Sequence, residues 1–187
     1  MKNWQECLEL QGIAPRYYNT DFKNHPAIKP HWNEILEFAK KPEGNIFMAG
    51  ACGNGKTMNA VAIMAACLVF RGPGARYFNA ETLYQGWRRE SKQGDPAYYA
   101  EKLSDSPVLV LDDLGQGEIT DAFKRWVYSL INKRWEWEKP TVVTTNLNSE
   151  EFRNLYGDAI LSRLMDGKVW KFDGRDYRLP NNRNEMA

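Results

Sequence analysis

The sequence predicts an α/β fold in which helices flank both faces of a parallel sheet, and three observations lead there. Short apolar or β-branched runs alternate with longer helical patterns along most of the chain. The first such run, Asn45–Ala49, passes directly into a glycine-rich turn that opens a helix. A later run, Val108–Leu111, is apolar at every position, the pattern of a strand buried on both faces, and it ends on two aspartates.

The elements follow in order. Residues 1–44 are mixed and aromatic and are broken by Pro15, Pro26, Pro30 and Pro42; they read as loops with one helix, His31–Lys40. Asn45–Ala49 is the first strand, and Lys56–Arg71, apolar nearly all round, is a buried helix. Arg76–Asn79 is a second strand, and Glu81–Leu103 is helical with an interruption at Gly94-Asp95-Pro96. Val108–Leu111 is the third strand. The long helix Ile119–Trp137 places Phe123, Val127, Leu130, Ile131 and Arg134 on one core stripe. Trp126 and Trp137 fall off that stripe and read as packing residues, with an oligomer interface as the alternative. Thr141–Thr145 is the fourth strand, Ser149–Tyr156 and Asp158–Met165 are short helices, and Val169–Phe172 is the last strand. The division expected is a lead-in segment over 1–44, a core over 45–178 and a tail over 179–187.

Composition narrows the function classes. The chain has 187 residues, the size of one domain with a short appendage. It is 43% apolar and 26% charged, a globular balance. Lys+Arg 25 against Asp+Glu 24 leaves +1, so no whole-molecule field drives it onto nucleic acid, and any such binding needs a local patch. Three cysteines without a CxxC pair argue against a disulfide framework and a zinc cage. The first residues lack the apolar stretch of a secretory leader, and Met58–Phe70, the longest apolar stretch, is short of the ~20 residues that span a bilayer. The expectation is a soluble cytoplasmic protein with no membrane partner.

The strongest signal is Gly50-Ala51-Cys52-Gly53-Asn54-Gly55-Lys56-Thr57, a full match to G-x-x-x-x-G-K-[ST] after a strand and before a helix. Gly50, Gly53 and Gly55 let the backbone curl so that successive N–H groups face phosphate oxygens, and the helix behind adds its positive dipole end. Lys56 supplies a point charge to the β- and γ-phosphates of a nucleotide and Thr57 a hydroxyl to Mg²⁺, with Asn54 and Met58 as flanking binding positions. The bland alternative is a chance glycine-rich turn; sequence and context together argue against it. The fold is therefore expected to be that of a P-loop NTPase.

The second half of such a site is an apolar strand ending in acid, which Val108-Leu109-Val110-Leu111-Asp112-Asp113 provides. Asp112 would hold Mg²⁺ through water and Asp113 would polarise the attacking water. Alone, the two acids would read as a strand cap and a solvated turn. A third piece is Thr144-Thr145-Asn146, closing the next apolar strand. Its amide could orient the water beside the γ-phosphate, or it could simply end a strand in a turn.

These pieces, in this order, resemble the core of AAA+ ATPases. Narrower strings resemble one subgroup, the DnaC-type helicase loaders and their IstB-type relatives. VLVLDDLG has Asp where many AAA+ motors have Glu, KPTVVTTNL carries the sensor-1 position, and GDAILSRLMDG carries a Ser-Arg similar to an arginine-finger segment. GRDYR (Gly174–Arg178) resembles the subgroup's closing signature, and GIAPRYYNTDF (Gly12–Phe22) the stretch that leads into its nucleotide site. The resemblance covers roughly residues 10–178. It implies an AAA+ core and a Mg-dependent ATPase with Lys56, Asp113 and Asn146 as catalytic residues. It implies that Arg163 acts in trans as an arginine finger on the neighbouring subunit's γ-phosphate, and that Arg16 and Tyr17 approach the base. The partners implied are further copies of the chain in an ATP-dependent oligomer, DNA, chiefly single-stranded, and a replicative helicase or a transposase.

The chain departs from the subgroup in places. About 45 residues precede the phosphate turn, which leaves the helicase-gripping N-terminal region missing or reduced. Ala159 stands where the family often has Arg. The 24 residues after Arg163 are too few for a helical lid, so no sensor-2 arginine is expected.

Trp87-Arg88-Arg89-Glu90-Ser91-Lys92, followed by Tyr98-Tyr99, mixes basic and aromatic groups. Arg88, Arg89 and Lys92 could hold single-stranded DNA while the rings stack on bases. The equal alternative is a helix with one packed aromatic face and one solvated charged face. Four functions therefore compete: an ATP-switched replication factor, a transposition helper ATPase of the IstB type, a small P-loop kinase, and a nucleotide-binding scaffold that never turns over. A kinase would need an Arg-rich lid and a substrate acid, for which Glu81 is the one candidate.

Overall fold

Along each strand, successive side chains enter two different cores, and that alternation sets the layers. Ile46 and Met48 face one core and Phe47 the other; Val108 and Val110 oppose Leu109 and Leu111 in the same way. The computed structural model describes residues 4–117 and 119–178. Its five strands are β1 (Asn45–Gly50), β2 (Ala75–Asn79), β3 (Val108–Asp112), β4 (Thr141–Thr145) and β5 (Gly167–Phe172). All pair in parallel, in the order β2-β3-β4-β1-β5. This is the parallel α/β sheet that the sequence predicts. The order puts β4, and not β2, between the phosphate turn's strand and the acid-bearing strand.

Eight helices cover the sheet among the described residues. On one face lie α1 (Trp4–Leu10), α2 (Trp32–Lys40) and α3 (Lys56–Arg71); their Leu8, Ile35, Phe38, Val61 and Ile63 share a core with Ile46 and Met48. The other face carries α4 (Ala80–Gln93), α5 (Pro96–Ser104), α6 (Asp121–Glu136), α7 (Ser149–Tyr156) and α8 (Asp158–Met165). The sequence sets the helix starts through side-chain caps. Asn79 accepts the N–H of Thr82, Asp95 precedes Pro96 and accepts the N–H of Ala97, Thr120 accepts the N–H of Phe123, and Asn148 forms a reciprocal capping box with Glu151. The interruption expected at Gly94-Asp95-Pro96 is thus the boundary between α4 and α5.

Two expectations need correction. The lead-in residues hold a second helix, α1, whose seven residues are too short to show a helical pattern by themselves. It forms because Leu8 is fully buried against α3. Trp137 is not a packing residue: it ends α6 with 69% of its surface exposed, whereas Trp126 is buried and donates its indole N–H to the Pro96 carbonyl. The tail over 179–187 lies outside the described residues.

Arg134 holds the bottom of the second layer. Its side chain is fully buried and donates to the carbonyls of Leu103, Ser104, Ser106 and Pro140 and to the hydroxyl of Thr141, at 2.6–3.0 Å. It thereby satisfies the orphan carbonyls at the end of α5 and fixes where β3 and β4 begin.

Candidate nucleotide site

The phosphate turn is shaped by what its neighbours leave no room for. Gly53 and Gly55 adopt φ of 83° and 93°, a region that side chains disfavour. A Cβ on Gly55 would also strike Ala27 of the lead-in segment, and one on Gly53 would strike the carboxylate of Asp176. Polar side chains pin the rest. Asn54 donates to the Phe172 carbonyl at 2.7 Å, and Asn59 to the carbonyls of Gly55 and Ala27. The turn is therefore braced by β5 on one side and the lead-in segment on the other.

Lys56 opens α3 and is only 4% exposed. Its ammonium donates to the carbonyls of Gly50 and Ala51 at 2.8 and 2.7 Å, curling back over the turn. Burial lowers its pKa, against the opposing pull of Asp113, Cys52 and Asp112.

Asp112 and Asp113 meet the turn from β3. In the β3–β4 register Leu111 pairs with Val143, which sets the next residue, Asp112, beside Thr144. The Asp112 carboxylate accepts the Thr144 hydroxyl at 2.6 Å and the Tyr77 hydroxyl at 2.7 Å. Burial raises its pKa first and the neighbouring Asp113 second, while hydrogen bonds from Thr144, Tyr77 and Thr57 draw it back. An acid 3% exposed beside a threonine hydroxyl, with no basic side chain bonded to it among the described residues, has the hard-oxygen chemistry that suits Mg²⁺. Asp113 sits at φ 55°, a left-handed conformation, and its N–H donates to the Thr144 hydroxyl at 2.8 Å. Asn146 points its amide at the Asp113 carboxylate, 3.3 Å away.

These groups converge on one cavity of about 160 Å³. Its floor is Gly53, Gly55, Lys56, Thr57 and Met58, and its far wall is Asp113 and Asn146. Arg16, Tyr17 and His25 close it from the lead-in segment, and Tyr177 and Arg178 from the chain beyond β5. Positive groups, backbone donors and one outward acid around a cleft can bind a polyphosphate and direct a water at it. Of the predicted site residues, Gly50, Asn54 and Asp112 do not line the cavity: Gly50 packs on the Phe172 carbonyl, Asn54 braces, and Asp112 sits behind Thr57. Burial raises the Tyr17 pKa, opposed by Arg16 and aided by the charges of Asp112 and Asp113.

Several contributors were not foreseen. Tyr77, Thr144, His25, Tyr177 and Arg178 all belong to the site or its support. Two of them stand in the GRDYR string, which the sequence offered as a signature without a role. His25 lines the cavity, whereas His31 packs away from it, stacked on Trp170 at 4.3 Å between ring centres.

Other predicted residues lie elsewhere. Arg163 is not at its own chain's cavity. It stands on α8, donates to the Ala159 carbonyl, and packs over the rings of Trp135 and Tyr128 at 5.1 and 5.5 Å. Arg88, Arg89 and Lys92 are exposed on α4, but two rings expected beside them are packed: Trp87 against Tyr84 and Phe123, and Tyr99 on Trp126. Tyr98 remains 58% exposed.

The sequence model of a family described as "IstB-like ATP binding protein" matches residues 30–184. The replicative helicase loader DnaC of Escherichia coli K12 is 24% identical over 185 residues, spanning 93% of this chain and 75% of that protein. Among solved structures, the DnaC helicase loader superposes with a TM-score of 0.73 at 24% identity, covering 86% of this chain and all of the other. The replication initiator DnaA bound to AMPPCP and single-stranded DNA superposes at 0.68 with 18% identity, over 87% of this chain and 51% of its own. The fold is thus that of the AAA+ P-loop domains.

Proposed function

The chain belongs to the IstB-like ATP binding protein family, and from that premise we propose that it is a Mg-dependent ATPase that assembles on DNA as a helicase-loader-like replication factor. One observation carries this reading: Lys56, Thr57, Asp113 and Asn146, from three different strand ends, face a single cavity with Asp112 directly behind.

In this reading the triphosphate lies over the turn, and Lys56 exchanges the Gly50 and Ala51 carbonyls for phosphate oxygens. Thr57 and Asp112 would hold Mg²⁺, which supplies charge neutralisation between the phosphates. Asp113 takes a hydrogen bond from the attacking water and aims its oxygen at the γ-phosphorus. Asn146, already turned toward Asp113, fixes that water from the second side. The water oxygen bonds to the γ-phosphorus as the bond from that phosphorus to the bridging oxygen breaks, and the water's proton passes to the phosphate, giving ADP and inorganic phosphate. Arg163 of one subunit completes the pocket of the next; a missing charge at that position costs about 10³-fold or more. Arg16 and Tyr17 flank the nucleotide from the lead-in segment.

The partners come from the relatives. DnaC is a replicative helicase loader by name, and DnaA was solved with single-stranded DNA. We assign Arg88, Arg89 and Lys92 to DNA on that basis, with Tyr98 as an exposed ring nearby for stacking. The domain plan that goes with this is a lead-in segment over 1–44, a core over 45–178 and a tail, in a cytoplasmic protein. Among the described residues no helix is long and apolar enough to cross a membrane. A second reading, a transposition helper, rests on the family match itself. The kinase reading loses its substrate acid: Glu81 is exposed on α4, bonded to Gln85, and does not line the cavity.

The test is hydrolysis of ATP without any small-molecule acceptor, with and without single- and double-stranded DNA. Stimulation by DNA supports the reading, and transfer of phosphate only to an added acceptor refutes it. Mixing Lys56→Ala with Arg163→Ala protein, each inactive alone, should restore some turnover where an intact turn meets an intact arginine. Capture of a replicative helicase, and not a transposase, separates the first reading from the second.

A further inference from the structure

The chain does not stop serving the cavity when the sheet ends. After β5, residues 173–178 turn back across the phosphate turn. The Tyr177 N–H donates to the Gly53 carbonyl at 3.0 Å, a main-chain bond between the last described segment and the middle of the turn. The Asp176 carboxylate lies over Gly53, in space that only a glycine leaves open. The same carboxylate accepts the N–H of Arg178 at 2.8 Å and so tightens the bend that presents Arg178. Tyr177 and Arg178 then line the same cavity as Lys56 and Thr57.

The charges make sense of this placement. Arg16, Lys56 and Arg178 bring three positive side chains to one small cavity, against Asp113 on its wall. Burial lowers the Lys56 pKa and the charge of Arg178 adds to that; burial raises the Tyr17 pKa and Arg178 pulls against it, so the guanidinium's field reaches both groups. Like charges gathered in this way repel one another until an anion arrives, and a polyphosphate relieves them all at once.

We propose that Arg178 is a nucleotide-binding residue in cis: residues 173–178 form a strap over the phosphate turn, and the Arg178 guanidinium grips the phosphates of the ATP bound beneath it. The strap supplies a cation to the cavity from the segment that follows β5. It also couples the nucleotide to β5, because the Phe172 carbonyl receives the Asn54 amide of the same turn. The inference rests on the cavity being the nucleotide site.

The test is a titration of the full chain with a fluorescent ATP analogue, and with adenosine as a phosphate-free control, in wild type, Arg178→Ala, Arg178→Lys and Lys56→Ala. A charge-assisted bond to phosphate is worth about 1.5–3 kcal/mol, so Arg178→Ala should bind the triphosphate about 10- to 100-fold more weakly. Adenosine binding should be unmoved, and Arg178→Lys should recover part of the loss. ATP should also slow tryptic cleavage at Arg175 and Arg178 in the wild type, and less so at Arg175 in Arg178→Ala. If Arg178→Ala binds the triphosphate like wild type while Lys56→Ala does not, the strap is refuted and the nucleotide site stands. Wild type without affinity for the analogue overturns both.

Discussion

Thr144 donates its hydroxyl to the Asp112 carboxylate across 2.6 Å, and through the same oxygen it receives the N–H of Asp113. One β4 side chain thus sets both acids at the end of β3. Thr144→Val keeps the shape and removes both bonds. It leaves a buried N–H and a buried carboxylate oxygen short of a partner, which should cost about 1–3 kcal/mol in chemical denaturation. Hydrolysis should fall with it, since Asp113 loses the bond that holds its left-handed backbone.

Asp112→Asn tests the same acid by charge. Burial and Asp113 raise the Asp112 pKa in the folded chain. The favourable, protonated contribution is therefore complete below the unfolded pKa and is lost as pH rises through the folded one. The asparagine can still accept from Thr144 and donate to Tyr77. At neutral pH the nucleotide-free variant should thus melt higher than wild type, with the gap closing in acid. Equal melting temperatures across that range would show that Asp112 is not strained by its burial.

Arg134 predicts a stability effect remote from the cavity. It bonds four carbonyls and a hydroxyl, and burial lowers its pKa to about 10. Arg134→Met fills much of the volume and leaves those acceptors bare. The expected loss is about 3 kcal/mol or more by denaturation, while the nucleotide affinity of the folded fraction stays at the wild-type value.

Much of this was legible in the sequence, for reasons that particular residues make plain. The strands showed because Val108–Leu111 is apolar and Thr141–Thr145 β-branched at every position, and both runs are buried throughout. The helices showed to within a residue or two of their starts, which the side chains of Asn79, Thr120 and Asn148 cap in the fold. The phosphate turn showed because its glycines, lysine and threonine stand in one short run, Gly50–Thr57, even though distant segments brace it. What stayed hidden is what the sheet order brings together. Tyr77 reaches Asp112 only because β2 lies beside β3, and Tyr177 meets Gly53 only after β5 has returned the chain to β1. Arg134 had the spacing of a core stripe, but nothing local to it announces carbonyls from two separate segments, the end of α5 with the turn after it and the residue before β4.

Gly55→Ala should damage the site by shape alone. The residue needs φ 93°, and a methyl would meet Ala27. Destabilisation of about 1 kcal/mol or more is expected, together with loss of nucleotide binding. A companion Ala27→Gly should recover part of the stability in the double variant, because it removes the collision and leaves only the backbone strain.

Stability should also fall in mild acid. Burial lowers the His31 pKa, with Glu34 pulling the other way, and the ring stacks on Trp170. A depressed histidine contributes stability above its unfolded pKa and loses it as pH falls through the folded one. Between about pH 7 and about pH 5 wild type should lose more of its denaturation midpoint than His31→Phe does. Parallel losses in the two proteins would assign the acid sensitivity elsewhere.

The most direct measurement is a structure of the chain with Mg²⁺ and a non-hydrolysable ATP analogue. The expected result is a triphosphate seated over Gly53–Thr57, with the Lys56 ammonium moved from the Gly50 and Ala51 carbonyls onto phosphate oxygens and the metal between Thr57 and Asp112. Phosphates bound elsewhere, or a Lys56 still resting on those two carbonyls, would contradict it.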